Sequence, residues 1–373
     1  LLQTGAWRLV AHGAFDVRGQ YGQIPPQTPA VERDYEWWTA GRVGFWQYHV
    51  EGGLEAAFRE RIVVRLTLTT HAPQADRDFA VWGDGAGVGA RLKEASIRLE
   101  RIGFEGLSLA GGRLPVEYPL FTVYDYAGGQ LTWTASPWMT LDWGQWQVFE
   151  GRTVDRPGES SDDIDLWGPQ VRIRTPHTEG GLYILIHSKA GGSDGIGHNV
   201  KIAGLSGAVS WGRLTRAALA GVLQRGEVST PMSGARRIRA WALHGQAQGR
   251  LYGRLDVGGA YWAGSGDRPG TPGIDEGFQS LGYRNTLEKF TLFYRSGLTD
   301  IRLFTAMMQG SLARFTGRLD FARIGRGSAG ASPGKEVGLT LEYPYSDHAR
   351  LRWRWGTTFD GHRMQRFEMS AGF

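Results

Sequence analysis

Arg350, Arg352 and Arg354 alternate with Leu351, Trp353 and Trp355. In a β-strand successive side chains point to opposite faces, so the three guanidiniums share one face and the three apolar groups share the other. An arginine is always charged and offers carboxylate or phosphate a planar fork of donors. Similar alternation along the chain places Arg65, Arg98, Arg172, Arg174, Arg254 and Arg302 on the polar face as well, among the carboxylates of Glu55, Glu94, Glu100, Asp256, Glu342 and Glu368. Two chemistries fit this pattern. The cations lower the barrier for an anionic solute or polymer moving past them, or they pair across strands and brace a wall. The Arg350 triplet outnumbers its local carboxylates, which favours the first.

Catalytic patterns are weak by comparison. Nine histidines include no pair at i, i+4, and no Ser, His and Asp form a recognisable nucleophile arrangement. The run Gly85 to Gly89 lacks the strand-then-helix setting of a nucleotide loop. Asp162, Asp163 and Asp165 could hold calcium, although a solvated loop is the default for such a cluster. With no cysteine there is no disulfide and no thiolate metal site. The expectation is a chain with no enzymatic activity, no cofactor and no metal.

Period-two alternation with charges on the wet face, repeated from end to end, implies a transmembrane β-barrel with lipid outside and a polar lumen inside. The 56 glycines, 15 tryptophans and 12% aromatic content suit tight turns and interfacial belts. No stretch approaches the roughly 18 apolar residues of a transmembrane helix. No linker or low-complexity tract divides the chain, so residues 1–373 are read as one domain. The formal charge is +5, but the arginines are spread singly instead of clustering, which excludes a nucleic-acid surface. The start at Leu1 carries no secretory signal, which an exported protein requires, so a processed or trimmed form is expected.

The strand candidates include Trp7 to Tyr21, a hairpin turning near Glu60, and a pair turning at Ser136 and Pro137. Leu251 to Trp262 reads as one strand with Arg254 and Asp256 on its polar side, followed by Leu287 to Arg295 and a strand from Ile301. Every candidate together makes about nineteen, whereas a single-chain bacterial barrel takes an even number. Ala313 to Ser332 is therefore assigned to a loop or strand extension. About eighteen strands remain, or sixteen if Ile202 to Arg225 is misread. The loops at Gly264 to Arg284 and Ala313 to Ser332 are candidates to fold inward as plugs.

Two segments carry a family resemblance. Gly334-Lys335-Glu336 and the strand Val337 to Tyr343, then the Arg-Trp strand and Phe359-Asp360-Gly361, resemble the C-terminal end of the alginate export family. Leu109 to Arg113 and Tyr124 to Leu131 are similar to a second segment of it, although Arg113 is followed by Leu114-Pro115 where that family often has Gln. The resemblance implies an eighteen-strand outer-membrane channel that passes an exopolysaccharide or smaller solutes.

The expectation is thus a passive channel in the bacterial outer membrane, surrounded by its lipid. The pore-lining set is Arg65, Glu94, Arg98, Arg172, Arg174, Arg254, Asp256, Arg302, Arg350, Arg352 and Arg354. The cargo is an exported anionic polysaccharide, with a periplasmic secretion scaffold as a further partner. Alternatives are a porin for small anions, a structural barrel or an outer-membrane hydrolase.

Overall fold

The structure is a computed structural model that describes residues 2–4, 6–24, 41–70, 90–114, 116–118, 120–123, 126–148, 164–189, 197–212, 214–230, 234–266, 273–278, 300–326, 334–359, 361 and 363–372. Its strands are β1 (Leu2–Thr4), β2 (Trp7–Ile24), β3 (Gly41–Phe58), β4 (Ile62–Thr70), β5 (Ala90–Glu100), β6 (Leu107–Arg113), β7 (Val116–Tyr118) and β8 (Phe121–Val123). There follow β9 (Tyr126–Ser136), β10 (Met139–Val148), β11 (Ile164–Arg174), β12 (Thr178–Lys189), β13 (Gly197–Trp211), β14 (Leu214–Thr230), β15 (Gly234–Tyr252) and β16 (Leu255–Gly264). The last six are β17 (Ile274–Asp275), β18 (Ile301–Leu312), β19 (Phe315–Arg326), β20 (Gly334–Ser346), β21 (Ala349–Thr358) and β22 (Arg363–Gly372).

Each long strand pairs antiparallel with the next, and β22 returns to β2, with Val17 opposite Met369, so the sheet closes on itself. Eighteen strands make the wall, and β1 and β17 are short additions to the same sheet. Closure leaves no strand edge, which is what a sheet in lipid requires. Alternation then sorts the side chains. In β12, Leu182 and Ile184 are half exposed on the outer face, whereas Tyr183 and Leu185 are buried on the inner one. Leu219 and Leu223 on β14, Trp241 and Leu243 on β15, and Leu131 and Trp133 on β9 continue the outer apolar band.

Short turns gather at one end of the barrel, where β22 also finishes. Gly253 and Arg254 join β15 to β16, and Ala313 and Arg314 join β18 to β19, with φ of +54° at both Gly253 and Ala313. In a barrel of this kind the short turns are periplasmic and the longer connections face outward from the cell.

The wall corrects the sequence reading at its one forced choice. Phe315 to Arg326 is a full wall strand, paired with β18 on one side and β20 on the other, so the demotion of Ala313 to Ser332 fails. Leu287 to Arg295 lies outside the described residues, but β16 pairs directly with β18, with Tyr261 opposite Phe304, so the wall is complete without it. Sixteen strands are excluded as well, because β13 and β14 pair from Gly197 to Trp211.

Candidate functional site

Inside the barrel, the lumenal charges described between β18 and β5, passing through the closure, form a succession of ion-paired groups. Glu342 on β20 accepts from Arg352 Nη2 at 2.7 Å and Nε at 2.9 Å, and from Arg350 at 3.5 Å. Arg352 reaches the other way to Glu368 on β22 at 3.2 Å, and buried Arg366 lies 3.7 Å from that carboxylate. Register sets Arg354 directly opposite Arg366, in the field of Glu368, Glu336 and Asp320. Further round, Glu55 takes Arg65 at 2.7 Å and Arg8 at 3.2 Å, while Ser96 donates to Glu94 at 2.9 Å. Arg8, Glu55, Arg65, Ser96, Arg98 and Glu100 line an open recess of about 350 Å³.

A second centre sits on β10. The Asp142 side chain is nearly buried and accepts from Gln130 at 2.9 Å, Thr132 at 2.8 Å and both ends of the Arg172 fork, at 2.7 and 2.9 Å. A carboxylate with four donors is well solvated by protein, which is what permits its burial.

The opposite inner wall is apolar. Trp146, Leu166, Tyr183, Leu185, Ile202 and Ile238 point inward and are buried, because two connections at the loop end fold in over them. Tyr118, at the end of β7, sets its ring 5.0 Å from Tyr183 and 6.1 Å from Trp146. Phe278, three residues past β17, packs into the same cluster. Burial, with Asp142 adding to it, pushes the Tyr118 phenol well above its ordinary pKa, so it stays a neutral donor. The Tyr183 ring lies over its cross-strand neighbour Gly204 and the Trp146 ring over Gly144 on its own strand, and a Cβ on either glycine would collide with the ring.

Of the expected pore-lining residues, Arg65, Glu94, Arg98, Arg172, Arg174, Asp256, Arg350, Arg352 and Arg354 lie on the inward face, Arg174 at the last position of its strand. Two do not. Arg254 is in the turn between β15 and β16, and the partner of Asp256 is Arg250, at 2.9 Å. Arg302 shares the exposed outer face of β18 with Phe304 and Met308, while its neighbours Ile301 and Leu303 are buried inside. Residues that the sequence reading passed over include Asp142, Arg216 on β14, which pairs with Glu179 on β12, Arg250, Arg366 and Tyr118. The first four obey the same alternation and were legible from it. Tyr118 lies outside the wall pattern and carried no signal.

No family model and no curated relative matches the chain. Solved structures do, over nearly the whole length. The barrel is similar to Pseudomonas aeruginosa OccK2 (OpdF) in complex with glucuronate, with a TM-score of 0.64, 16% identity and 98% of each chain covered. It is also similar to P. aeruginosa OpdK with vanillate (TM-score 0.62, 14% identity, 97% of this chain and 98% of that one). OccK11 (OpdR) of the same organism gives 0.59 at 15% identity, covering 97% and 96%.

The fold is that of the eighteen-strand outer-membrane barrel.

This likeness overturns the resemblance to the alginate export family. Among the described residues the two segments behind it fall mainly on the wall strands β6, β9, β20 and β21, and the alternation they share with exporters is common to any such barrel. Neither polysaccharide export nor a periplasmic scaffold finds support among the neighbours.

Proposed function

We propose that the chain is a passive outer-membrane channel for small anionic solutes, carboxylates above all. The observation that carries this reading is the arginine group of β21 and β22. Arg350, Arg352, Arg354 and Arg366 come together on one inner wall, across adjacent strands, with Arg354 facing another cation instead of a carboxylate. A solute carboxylate passing there exchanges water for guanidinium forks already held in place by Glu342 and Glu368, so little ordering entropy is lost.

The apolar, Tyr118-bearing wall gives the reading its size limit. Inward-folded connections narrow the lumen on the loop side, which suits a small molecule and disfavours a polymer. Glucuronate and vanillate, named with two of the neighbours, are both small carboxylates, which agrees with this reading. In this account the chain carries no reaction of its own, and the gradient of the solute drives transport.

Liposome swelling tests the proposal. Reconstituted protein should admit glucuronate several-fold faster than glucose, which is nearly the same size but neutral. Equal rates, or faster glucose entry, would reject the anionic assignment.

A further inference from the structure

The outer wall carries a second set of cations, and these are treated differently by the fold. Lys201 on β13 stands directly opposite Arg225 on β14, which stands directly opposite Arg239 on β15. All three are exposed and share the outward face with Leu205, Leu223 and Trp241. Glu227 is the one carboxylate on the outward face of these three strands, and it sits a row higher, opposite Arg237. Among the described residues Lys201, Arg225 and Arg239 have no ion-pair partner. The lumenal arginines, by contrast, reach carboxylates at distances such as 2.7 and 3.2 Å.

Directly opposed side chains in a sheet lie about 5 Å apart at Cβ, and like charges so placed repel. Three in a row need an anion. Their height says which one. From Leu251 to Trp241 the outer face of β15 is apolar or small, and at about 3.4 Å per residue with a tilt of about 40° that run climbs about 26 Å, the height of a barrel's lipid-facing band. Arg239 is the next outward residue above it, so the row stands at the headgroup level of the outer leaflet. Arg323 and Lys335, opposed on β19 and β20, form a second such pair, with Arg302 diagonally adjacent.

We infer that the row Lys201, Arg225 and Arg239 is a docking site for the phosphate groups of the outer leaflet's phosphorylated glycolipid. Each phosphate oxygen accepts from a guanidinium or ammonium that the chain itself leaves uncompensated, and the acyl chains lie along Leu205, Leu223 and Trp241 below. The site faces away from the lumen and is independent of what the channel conducts.

The test is binding of bisphosphorylated lipid A to the purified barrel in a neutral detergent, followed by native mass spectrometry. The triple variant Lys201→Gln/Arg225→Gln/Arg239→Gln should bind it on the order of a hundred-fold more weakly, about five-fold per cation removed. A control that removes three exposed cations at the turn end, Arg61→Gln/Arg101→Gln/Arg314→Gln, should bind as wild type. Dephosphorylated lipid A should bind wild type as weakly as the triple variant binds the intact lipid, and inorganic phosphate alone should not compete at equal concentration. Undiminished binding by the triple variant, no preference for the phosphorylated lipid, or full competition by free phosphate would each overturn the inference. If the triple variant fails to fold, Arg225→Gln and Arg225→Glu should weaken binding in that order, and an effect of neither counts against the site.

Discussion

Arg172 on β11 grips Asp142 on the neighbouring strand β10 through both arms of its fork, and the charges of the pair reach the phenol of Tyr118. A wall brace and the inward-folded connection therefore meet at one point of the lumen. Asp142→Asn removes the charge while keeping the shape, and it leaves Arg172 without its counter-ion. Stability should fall by about 2 to 3 kcal/mol in refolding titrations, since Asp142 is buried with four donors aimed at it. At the same time the lumen gains one positive charge, so anion preference should rise. A variant with unchanged stability and unchanged selectivity would show that the pair is idle.

Tyr118→Ala should enlarge the passage without opening the wall. The ring belongs to β7, which pairs with β8 alone, so its loss leaves every wall ladder intact. Single-channel conductance should increase, and the far-ultraviolet circular dichroism should stay as it is. Gly204→Ala is predicted to act on the same contact from the other side, because its Cβ would displace the Tyr183 ring that Tyr118 rests on.

How far the sequence carried this picture depends on how different the two faces of a strand are. Where β21 sets Arg against Trp, parity is unmistakable, and the Arg350 triplet falls on the expected face. On β18 both faces are apolar near the loop end, since Ile301 and Leu303 pack inside while Phe304 looks out to lipid. Polarity then cannot fix the register, and Arg302 was assigned to the wrong side. The turns failed for a related reason. Ala313 at φ +54° is a reversal made by a residue type that does not advertise one, so when an even strand count forced one candidate out, the strand after it was demoted although Phe315, Leu319 and Phe321 alternate with Arg318 and Asp320. Arg254 was read into a strand because it keeps parity with Asp256, whereas the chain reverses at Gly253, with φ of +54°. Of the inward-folded connections, the one that carries Phe278 falls within the Gly264 to Arg284 loop named as a candidate, whereas Tyr118 earns its place by contacts between segments far apart in sequence that no alternation announces.

The assignment of faces can be checked by charge insertion. Leu219, half exposed on the outer face of β14, should cost about 2 to 4 kcal/mol as Leu219→Arg if it lies near the bilayer midplane. Gln246→Arg on the inner face of β15, between Ala218 and Ala260, should cost far less. Comparable costs would mean that the register is wrong.

Arg352 is both a brace and a candidate contact for the solute. It bridges Glu342 and Glu368 while about a third of its side chain remains exposed, so solvent screens the pair. Arg352→Gln should cost about 1 to 2 kcal/mol in stability, more than an exposed salt bridge and less than a buried one. Loss of 4 kcal/mol or more would make its role structural.

The central claim is that lumenal arginines select small anions, and the reversal potential in a tenfold potassium chloride gradient addresses it most directly. Wild type should reverse on the anion-preferring side. Neutralising Arg350, Arg352 and Arg354 together to Gln removes three positive charges from beside Glu342, Glu368 and Glu336, so the potential should move toward cation preference, and the shift should shrink at high salt as screening lengths fall to about 3 Å. A reversal potential at low salt that is identical in wild type and the triple variant would contradict the account and leave these arginines as wall braces.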